Sequence, residues 1–272
     1  MKIGIIGFGN MGSAIAGRLK KDYEIFVFDR DKEKTKNSTA MAIAESEVDL
    51  VRKSEAVILA VKPQDFDSLL NEIKDSIKNK LVISIVAGIP TGHIENILNG
   101  SRVVRVMPNI GAKIGHSVTC LCKGRLATKE DMVFTKALFK NIGKVQDLEE
   151  KNMDAATAIS GSGPGYYFYL VDSRADEYKL NLGKFQKDFI FSLVKGVEGE
   201  GFDSKKAKFL AHWTVVYSEL LLKQTGLSAE ELRKQVTSKG GTTEAALEVL
   251  RNNGTLAEAV KAAVRRAKEL SK

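Results

Sequence analysis

The chain opens with Met1-Lys2-Ile3-Gly4-Ile5-Ile6-Gly7-Phe8-Gly9-Asn10-Met11-Gly12-Ser13-Ala14-Ile15-Ala16-Gly17, and this stretch decides the fold. Ile3 to Ile6 is a short apolar run of the kind that forms a strand buried on both faces. Gly7, Gly9 and Gly12 follow in G-x-G-x-x-G spacing, and Met11 to Leu19 continues with helical spacing. The first glycine allows a tight turn, the second a close approach of backbone to a pyrophosphate, and the third close packing of helix on strand. The helix start adds free N–H groups and the positive end of a dipole. Ile6, Gly7, Phe8, Gly9, Asn10, Met11 and Gly12 therefore read as a dinucleotide-binding turn. The competing reading is a glycine-rich turn in some other α/β protein.

Moving outward, Tyr23 to Phe28 reads as the next strand and ends in Asp29-Arg30-Asp31. An acid about twenty residues past the glycines hydrogen-bonds the adenosine ribose in such folds, whereas a nearby arginine accommodates a 2′-phosphate. Asp29 argues for NADH and Arg30 for NADPH, so both cofactors stay open. The charges of Arg30–Lys34 also suit the plain start of a surface helix. Ala56 to Val61 is a third apolar strand, closed by Lys62-Pro63-Gln64. Strand carboxyl ends line the ligand crevice of a doubly wound sheet. Ala60, Val61, Lys62 and Pro63 are expected there, with Lys62 beside cofactor phosphate or ribose, or simply exposed in a turn. Leu81 to Val86 runs into Ala87 and Gly88, whose small size admits a nicotinamide ring. Arg102 to Met107 ends at Pro108-Asn109, and Asn109 is placed to orient cofactor or substrate, or to turn the chain. Strands at Ser117–Leu121 and Lys144–Leu148 flank a helix at Lys129–Asn141. This alternation predicts an α/β Rossmann domain with a mostly parallel sheet over residues 1–152.

From residue 153 to 272 the β pattern gives way to an all-α domain. Asp154 begins a helical turn that breaks at Ser160-Gly161-Ser162-Gly163-Pro164. Helices are expected at Tyr166–Asn181, Phe185–Glu198, Ser204–Gln224, Ala229–Val236, Thr243–Arg251 and Leu256–Leu270. Ala257, Ala259, Ala262 and Ala263 give the last one a face for close helix packing, within the chain or across a dimer.

Composition narrows the function. The 272 residues carry 42 Lys and Arg against 34 Asp and Glu, a net charge of +8. The surplus is spread along the chain, without an aromatic-plus-basic platform or zinc spacing, so nucleic acid is not an expected partner. A basic balance helps attract phosphate-bearing cofactors and carboxylate substrates. Cys120 and Cys122 alternate on a strand in poor disulfide geometry, which fits buried thiols in a reducing cytoplasm. His93, His116 and His212 lack ligand spacing, so no metal site is expected. No run is long enough to span a membrane, and the start of the chain is unlike a signal peptide.

A second chemical loop is Val236-Thr237-Ser238-Lys239-Gly240-Gly241-Thr242-Thr243-Glu244. Two threonines open a helix, where Thr is a favoured cap and Glu244 suits the first turn. The N–H groups of Gly241, Thr242 and Thr243, with the hydroxyls of Ser238, Thr242 and Thr243, make an anion site fit for a small carboxylate. The competing reading is an ordinary capped helix after a glycine turn.

With both loops in view, the sequence resembles the pyrroline-5-carboxylate reductase family. The resemblance is carried by Gly7-x-Gly9-x-x-Gly12, Val61-Lys62-Pro63-Gln64, Ala87-Gly88-Ile89 and Arg105-Val106-Met107-Pro108-Asn109. Asp154…Ser160-Gly161-Ser162-Gly163-Pro164 and Thr237-Ser238-x-Gly240-Gly241-Thr242-Thr243 complete it, and these two are specific to the family. The resemblance implies a Rossmann domain followed by a helical dimerisation domain, in a homodimer or higher homo-oligomer. It implies reduction of 1-pyrroline-5-carboxylate to L-proline by a hydride from NADPH or NADH, the last step of proline biosynthesis. It further implies that Ser238, Gly240, Gly241, Thr242 and Thr243 hold the substrate carboxylate, that Thr243 is the catalytic hydroxyl near the ring nitrogen, and that Glu150 touches substrate. Three departures stand out. Lys239 replaces the usual proline, Ile110-Gly111 replaces the usual Thr-Pro, and the segment after Pro164 is about twenty residues too long, one extra helix. The alternatives are a related imine or 3-hydroxyacid oxidoreductase with Lys195 as its lysine, and a non-catalytic NAD(P)-binding regulator.

Overall fold

The computed structural model describes residues 1–36, 38–39 and 41–271. By compactness they form two units, residues 1–107 with 121–150, and residues 108–120 with 151–272. This division differs from a single cut after residue 152, because residues 108–120 are grouped with the second unit.

The eight strands are β1 (Lys2–Ile6), β2 (Glu24–Phe28), β3 (Ala42–Ile43), β4 (Ala56–Leu59), β5 (Leu81–Ser84), β6 (Arg102–Met107), β7 (Ser117–Lys123) and β8 (Gly143–Asp147). They form one sheet in the order β3-β2-β1-β4-β5-β6-β7-β8. The pairs from β3 to β6 are all parallel. The strand order reverses direction beside β1, which is where doubly wound sheets open a ligand crevice. The residues of β4 and β5 are buried throughout, as expected of strands covered on both faces. The two-residue strand β3 has no apolar run to announce it, and the sequence reading omits it.

In the first unit the helices are α1 (Asn10–Leu19), α2 (Lys32–Thr35), α3 (Glu47–Lys53), α4 (Pro63–Ile73), α5 (Thr91–Ile97) and α6 (Lys129–Lys140). The strand expected to reach Val61 stops at Leu59, because Lys62 already caps α4 and Pro63 occupies its first turn, a position that tolerates proline. Helix α3 is set by Ser46, whose hydroxyl accepts from Asp49 N.

The second unit contains α7 (Met153–Ala156), α8 (Gly163–Ser173), α9 (Ala175–Leu180), α10 (Leu182–Gly196), α11 (Ser204–Thr225), α12 (Ala229–Val236), α13 (Thr242–Arg251) and α14 (Leu256–Leu270). Between α7 and α8 lies a π turn, Thr157–Gly161, in which Ser162 N donates to Thr157 O at 2.9 Å. The expected break at Ser160–Pro164 is therefore a widened turn that carries the helix onward. The helix expected over Tyr166–Asn181 is two helices, with Arg174 out of helical geometry between them. Asn181 then accepts from Lys184 N, so α10 begins three residues ahead of its expected start at Phe185. The two helices are anchored from inside. Tyr178 of α9 and Tyr167 of α8 both donate to Glu219 of α11, at 3.1 and 2.8 Å, and Lys223 pairs with the same carboxylate at 3.1 Å. Tyr178 also stands edge-on to Phe185. Helix α14 buries Leu256, Ala259, Val260, Ala263, Val264 and Ala267 on one face, the spacing of an amphipathic helix.

Cys120 and Cys122 are both buried thiols outside any disulfide, and burial pushes the Cys120 thiol up to about 12. Among the described residues no helix is long and apolar enough to cross a membrane, and no His, Cys, Asp and Glu residues cluster as metal ligands.

Candidate active site

In the first unit the glycine turn is fixed by its own backbone. Gly7 has φ +96°, and a Cβ there would lie 2.5 Å from Ala60 O. A Cβ at Gly12 would lie 2.0 Å from Gly7 O. Both contacts are with backbone, which cannot swing aside. At Gly9 a Cβ would meet nothing within 4 Å, so that face of the turn is open. Gly9 caps α1 without a side-chain hydrogen bond, leaving first-turn N–H groups for a ligand.

A cavity opens beside this turn. It is lined by Ile6, Gly7, Gly9, Asp29, Arg30, Ala60, Val61 and Lys62, eight residues singled out from the sequence. Asp29 Oδ2 accepts from Phe8 N at 2.7 Å, and Oδ1 accepts from Asp31 N at 2.9 Å and Lys34 Nζ at 3.2 Å. Burial opposes its ionisation, but these bonds and the Lys34 charge outweigh that and hold the carboxyl below its usual range. Arg30 donates from Nε to Glu47 at 2.9 Å and from Nη2 to Glu72 at 3.1 Å. Phe8, Asn10, Met11, Gly12 and Pro63 support the turn and the start of α4 without lining the cavity, and Ala87 and Gly88 form a turn after β5. Phe28, Asp31, Lys34, Glu47, Asp65 and Leu69 also line it. Asp31 and Lys34 belong to the charged run visible in sequence. Glu47 carries no such signal, since only folding brings it to Arg30.

Glu150, expected to touch substrate, is committed elsewhere. Its Oε2 accepts from Thr91 Oγ1 at 2.6 Å and Thr91 N at 3.2 Å, and its Oε1 accepts from Arg105 Nη1 at 2.6 Å. Cys122 Sγ donates to Oε2 at 3.4 Å. Burial opposes ionisation here too, but Thr91 and the Arg105 charge outweigh it and hold the Glu150 carboxyl below the ordinary glutamate range. This arrangement ties β6 to α5 and to the chain leaving β8.

In the second unit Asn109 is also a structural group. It is 4% exposed. Its Oδ1 accepts from Gly111 N and Val118 N, and its Nδ2 donates to Ser160 O at 2.9 Å. An amide so occupied pins the 108–120 segment to the π turn. A Cβ at Gly111 would lie 2.1 Å from His116 O, a tight fold that accounts for glycine at this departure from the family pattern.

The Ser238–Thr243 loop turns through Gly240, φ +69°, with Gly241 N donating to Ser238 O at 3.0 Å. Arg266 Nε donates to Gly240 O at 2.7 Å, and Gly240 N donates to Glu244 Oε2 at 2.6 Å. Gly241 caps α13 without a side-chain bond, again leaving helix-start N–H groups free for an anion. The hydroxyls of Thr242 and Ser162 lie 2.7 Å apart. Thr243 is 4% exposed, and its methyl packs where a side chain on Gly165 would stand. Ser238, Lys239 and Gly240 are exposed. Sequence motifs flagged Ser162, but its pairing with Thr242 is 80 residues long-range and had no local signal.

A Rossmann sheet with an open glycine turn in one unit, and a hydroxyl-rich anion loop in the other, are the features of a nicotinamide-dinucleotide-dependent oxidoreductase. Comparison with known proteins makes this specific. Residues 2–88 match the model of the NADP oxidoreductase, coenzyme F420-dependent family, and residues 185–270 match that of pyrroline-5-carboxylate reductase dimerisation. The pyrroline-5-carboxylate reductase of Methanosarcina acetivorans is 35% identical, covering 100% of this chain and 98% of the relative. The solved pyrroline-5-carboxylate reductase of Coxiella burnetii is 31% identical with a TM-score of 0.66, covering 99% and 98%. That of Plasmodium falciparum, solved with NADP bound, is 28% identical with a TM-score of 0.65, covering 100% and 98%. The chain belongs to the pyrroline-5-carboxylate reductase family. It is an oxidoreductase of proline biosynthesis that reduces 1-pyrroline-5-carboxylate with NAD(P)H, and it carries the family's dimerisation region, as a homo-oligomer does. That region's match begins at Phe185.

Proposed function

We propose that the Ser238–Thr243 loop holds the pyrroline carboxylate and that Thr243 donates a hydrogen bond to the ring nitrogen. The observation that carries this is the uncapped start of α13, with the Ser238 and Thr242 hydroxyls beside it and Thr243, 4% exposed, in its first turn. The carboxylate handle is bound by the helix-start amides, which carry the positive end of the dipole. Hydrogen bonding at nitrogen, or a proton already there, makes the C=N carbon electrophilic. A bound reduced nicotinamide supplies the hydride. The residues present fit the dinucleotide: the uncapped α1 and the open face of Gly9 suit its pyrophosphate, and Asp29 or Arg30 its ribose end. Each unit thus contributes one holder, and most of the rate comes from orienting the two reactants. Glu150 and Asn109 are left out of the binding set because their polar atoms are engaged in structure.

Thr243→Val should lower kcat about 100-fold, the usual scale for a lost proton-handling group, while dinucleotide affinity stays within about twofold. Thr243→Ser should restore much of the rate. Equal rates for wild type and Thr243→Val would remove Thr243 from the mechanism. We further infer that the enzyme works in the cytoplasm on this small molecule, with neither nucleic acid nor membrane as partner. The spread of basic charge and the two buried thiols support this. Fractionation of cells into cytosol and membrane tests it, and recovery with membranes would overturn it.

A further inference from the structure

The cavity beside the glycine turn carries two signals that disagree in sequence, an acid at 29 and an arginine at 30. Their surroundings settle the disagreement. Arg30 is held by two carboxylates, Glu47 at 2.9 Å and Glu72 at 3.1 Å. The Glu47 side chain is only 7% exposed. The Arg30 side chain is 56% exposed, so drawing it away toward a phosphate costs chiefly the loss of the Glu47 carboxylate's charge partner. Asp29, by contrast, is fixed in place by Phe8 N and Asp31 N. A carboxylate has about four acceptor sites, so Asp29 keeps capacity for a ribose hydroxyl. Of the two lysines that line the cavity, Lys34 is already bound to Asp29 at 3.2 Å, with Asp31 at 3.8 Å. Four carboxylates, Asp29, Asp31, Glu47 and Asp65, line the cavity against three cations, Arg30, Lys34 and Lys62. A 2′-phosphate brought to this rim meets a fixed carboxylate and an arginine whose charge two carboxylates already offset.

We infer that the Glu47–Arg30–Glu72 clamp makes this chain select NADH over NADPH. Asp29 receives the ribose 2′-hydroxyl, and Glu47 and Glu72 offset the charge of the one arginine that lines the cavity. The inference rests on the dinucleotide reading of the glycine turn given above.

The test is direct binding, without pyrroline, of NADH and of NADPH to the full-length protein, followed by nicotinamide fluorescence. The expected Kd for NADH is lower by about tenfold or more, the scale of one unfavourable charge contact at a protein surface. Glu47→Gln with Glu72→Gln should tighten NADPH by about fivefold and leave NADH within about twofold. Glu72→Gln alone, on the exposed side of the clamp, should give a smaller shift of the same sign, and it serves where the double variant melts early. Wild-type protein that binds NADPH as tightly as NADH overturns the inference alone. So does a ratio unmoved by the folded variants. Binding of neither dinucleotide overturns it together with the cofactor reading.

Discussion

The two glycine loops of this chain do the same physical task by opposite means. The loop at Gly7–Gly12 and the loop at Ser238–Thr243 each deliver an uncapped helix start. In the first, glycine is imposed by backbone: any Cβ at Gly7 or Gly12 would strike a main-chain atom. In the second, side chains hold the turn, with Arg266 on one carbonyl, Glu244 on one amide and Ser162 on one hydroxyl. A Cβ at Gly240 would meet only the Arg266 guanidinium, at 3.5 Å. A loop enforced by backbone fails all at once when altered. A loop held by side chains fails in steps.

That contrast can be broken by measurement. Gly12→Ala should be the most damaging change, with dinucleotide affinity down more than about 100-fold or folding lost, since a contact at 2.0 Å with a carbonyl has no local escape. Near-normal affinity would show that α1 can slide, and the contrast would collapse. Next comes Glu150→Gln, which tests a side-chain clamp inside the first unit. It should cost about 2–3 kcal/mol in denaturant unfolding at pH 7, because Arg105 stays buried with its main partner neutralised. The folded Glu150 pKa lies below the unfolded value, so its contribution is whole above about pH 4.3 and vanishes as pH falls through the folded value. Wild type and variant should therefore converge in acid, and a gap that persists there would mean that the glutamine disturbs packing and not charge.

Two smaller effects belong to the second loop. Gly240→Ala should cost about 1 kcal/mol, the penalty of left-handed backbone for a residue with Cβ. A loss much larger than that would place Gly240 in a backbone-enforced turn after all. Ser162→Ala should raise KM for pyrroline-5-carboxylate about fivefold, one hydrogen bond's worth of ordering at Thr242, with dinucleotide affinity unmoved. An unchanged KM would show that Thr242 needs no support.

The first unit was legible in sequence to the extent that its chemistry is local. Strand, glycine turn and helix are contiguous, and Asp29 follows at a spacing set by one βαβ step. Glu47 was not legible, because its partner Arg30 is reached through folding and not through spacing. Asn109 and Glu150 were seen as polar groups near strand ends, where ligands bind, yet sequence could not show that Ser160, Thr91 and Arg105 had already occupied them. In the helical unit apolar periodicity gave the helices but missed the break at Arg174, since Tyr166–Asn181 is periodic across it. The partner that explains the break, Glu219, lies some forty residues on from Tyr178.

The π turn at Thr157–Gly161 has a bearing on how this motif can change length over generations. Such a turn holds one residue more than an α turn. Loss of a single residue there would close it to α geometry while the flanking helices keep their faces. Loss of a residue within α8 would rotate everything beyond it by about 100°, carrying Tyr167 off Glu219. A one-residue deletion at this junction is thus best absorbed at five positions, the ones next to the serine that meets Thr242.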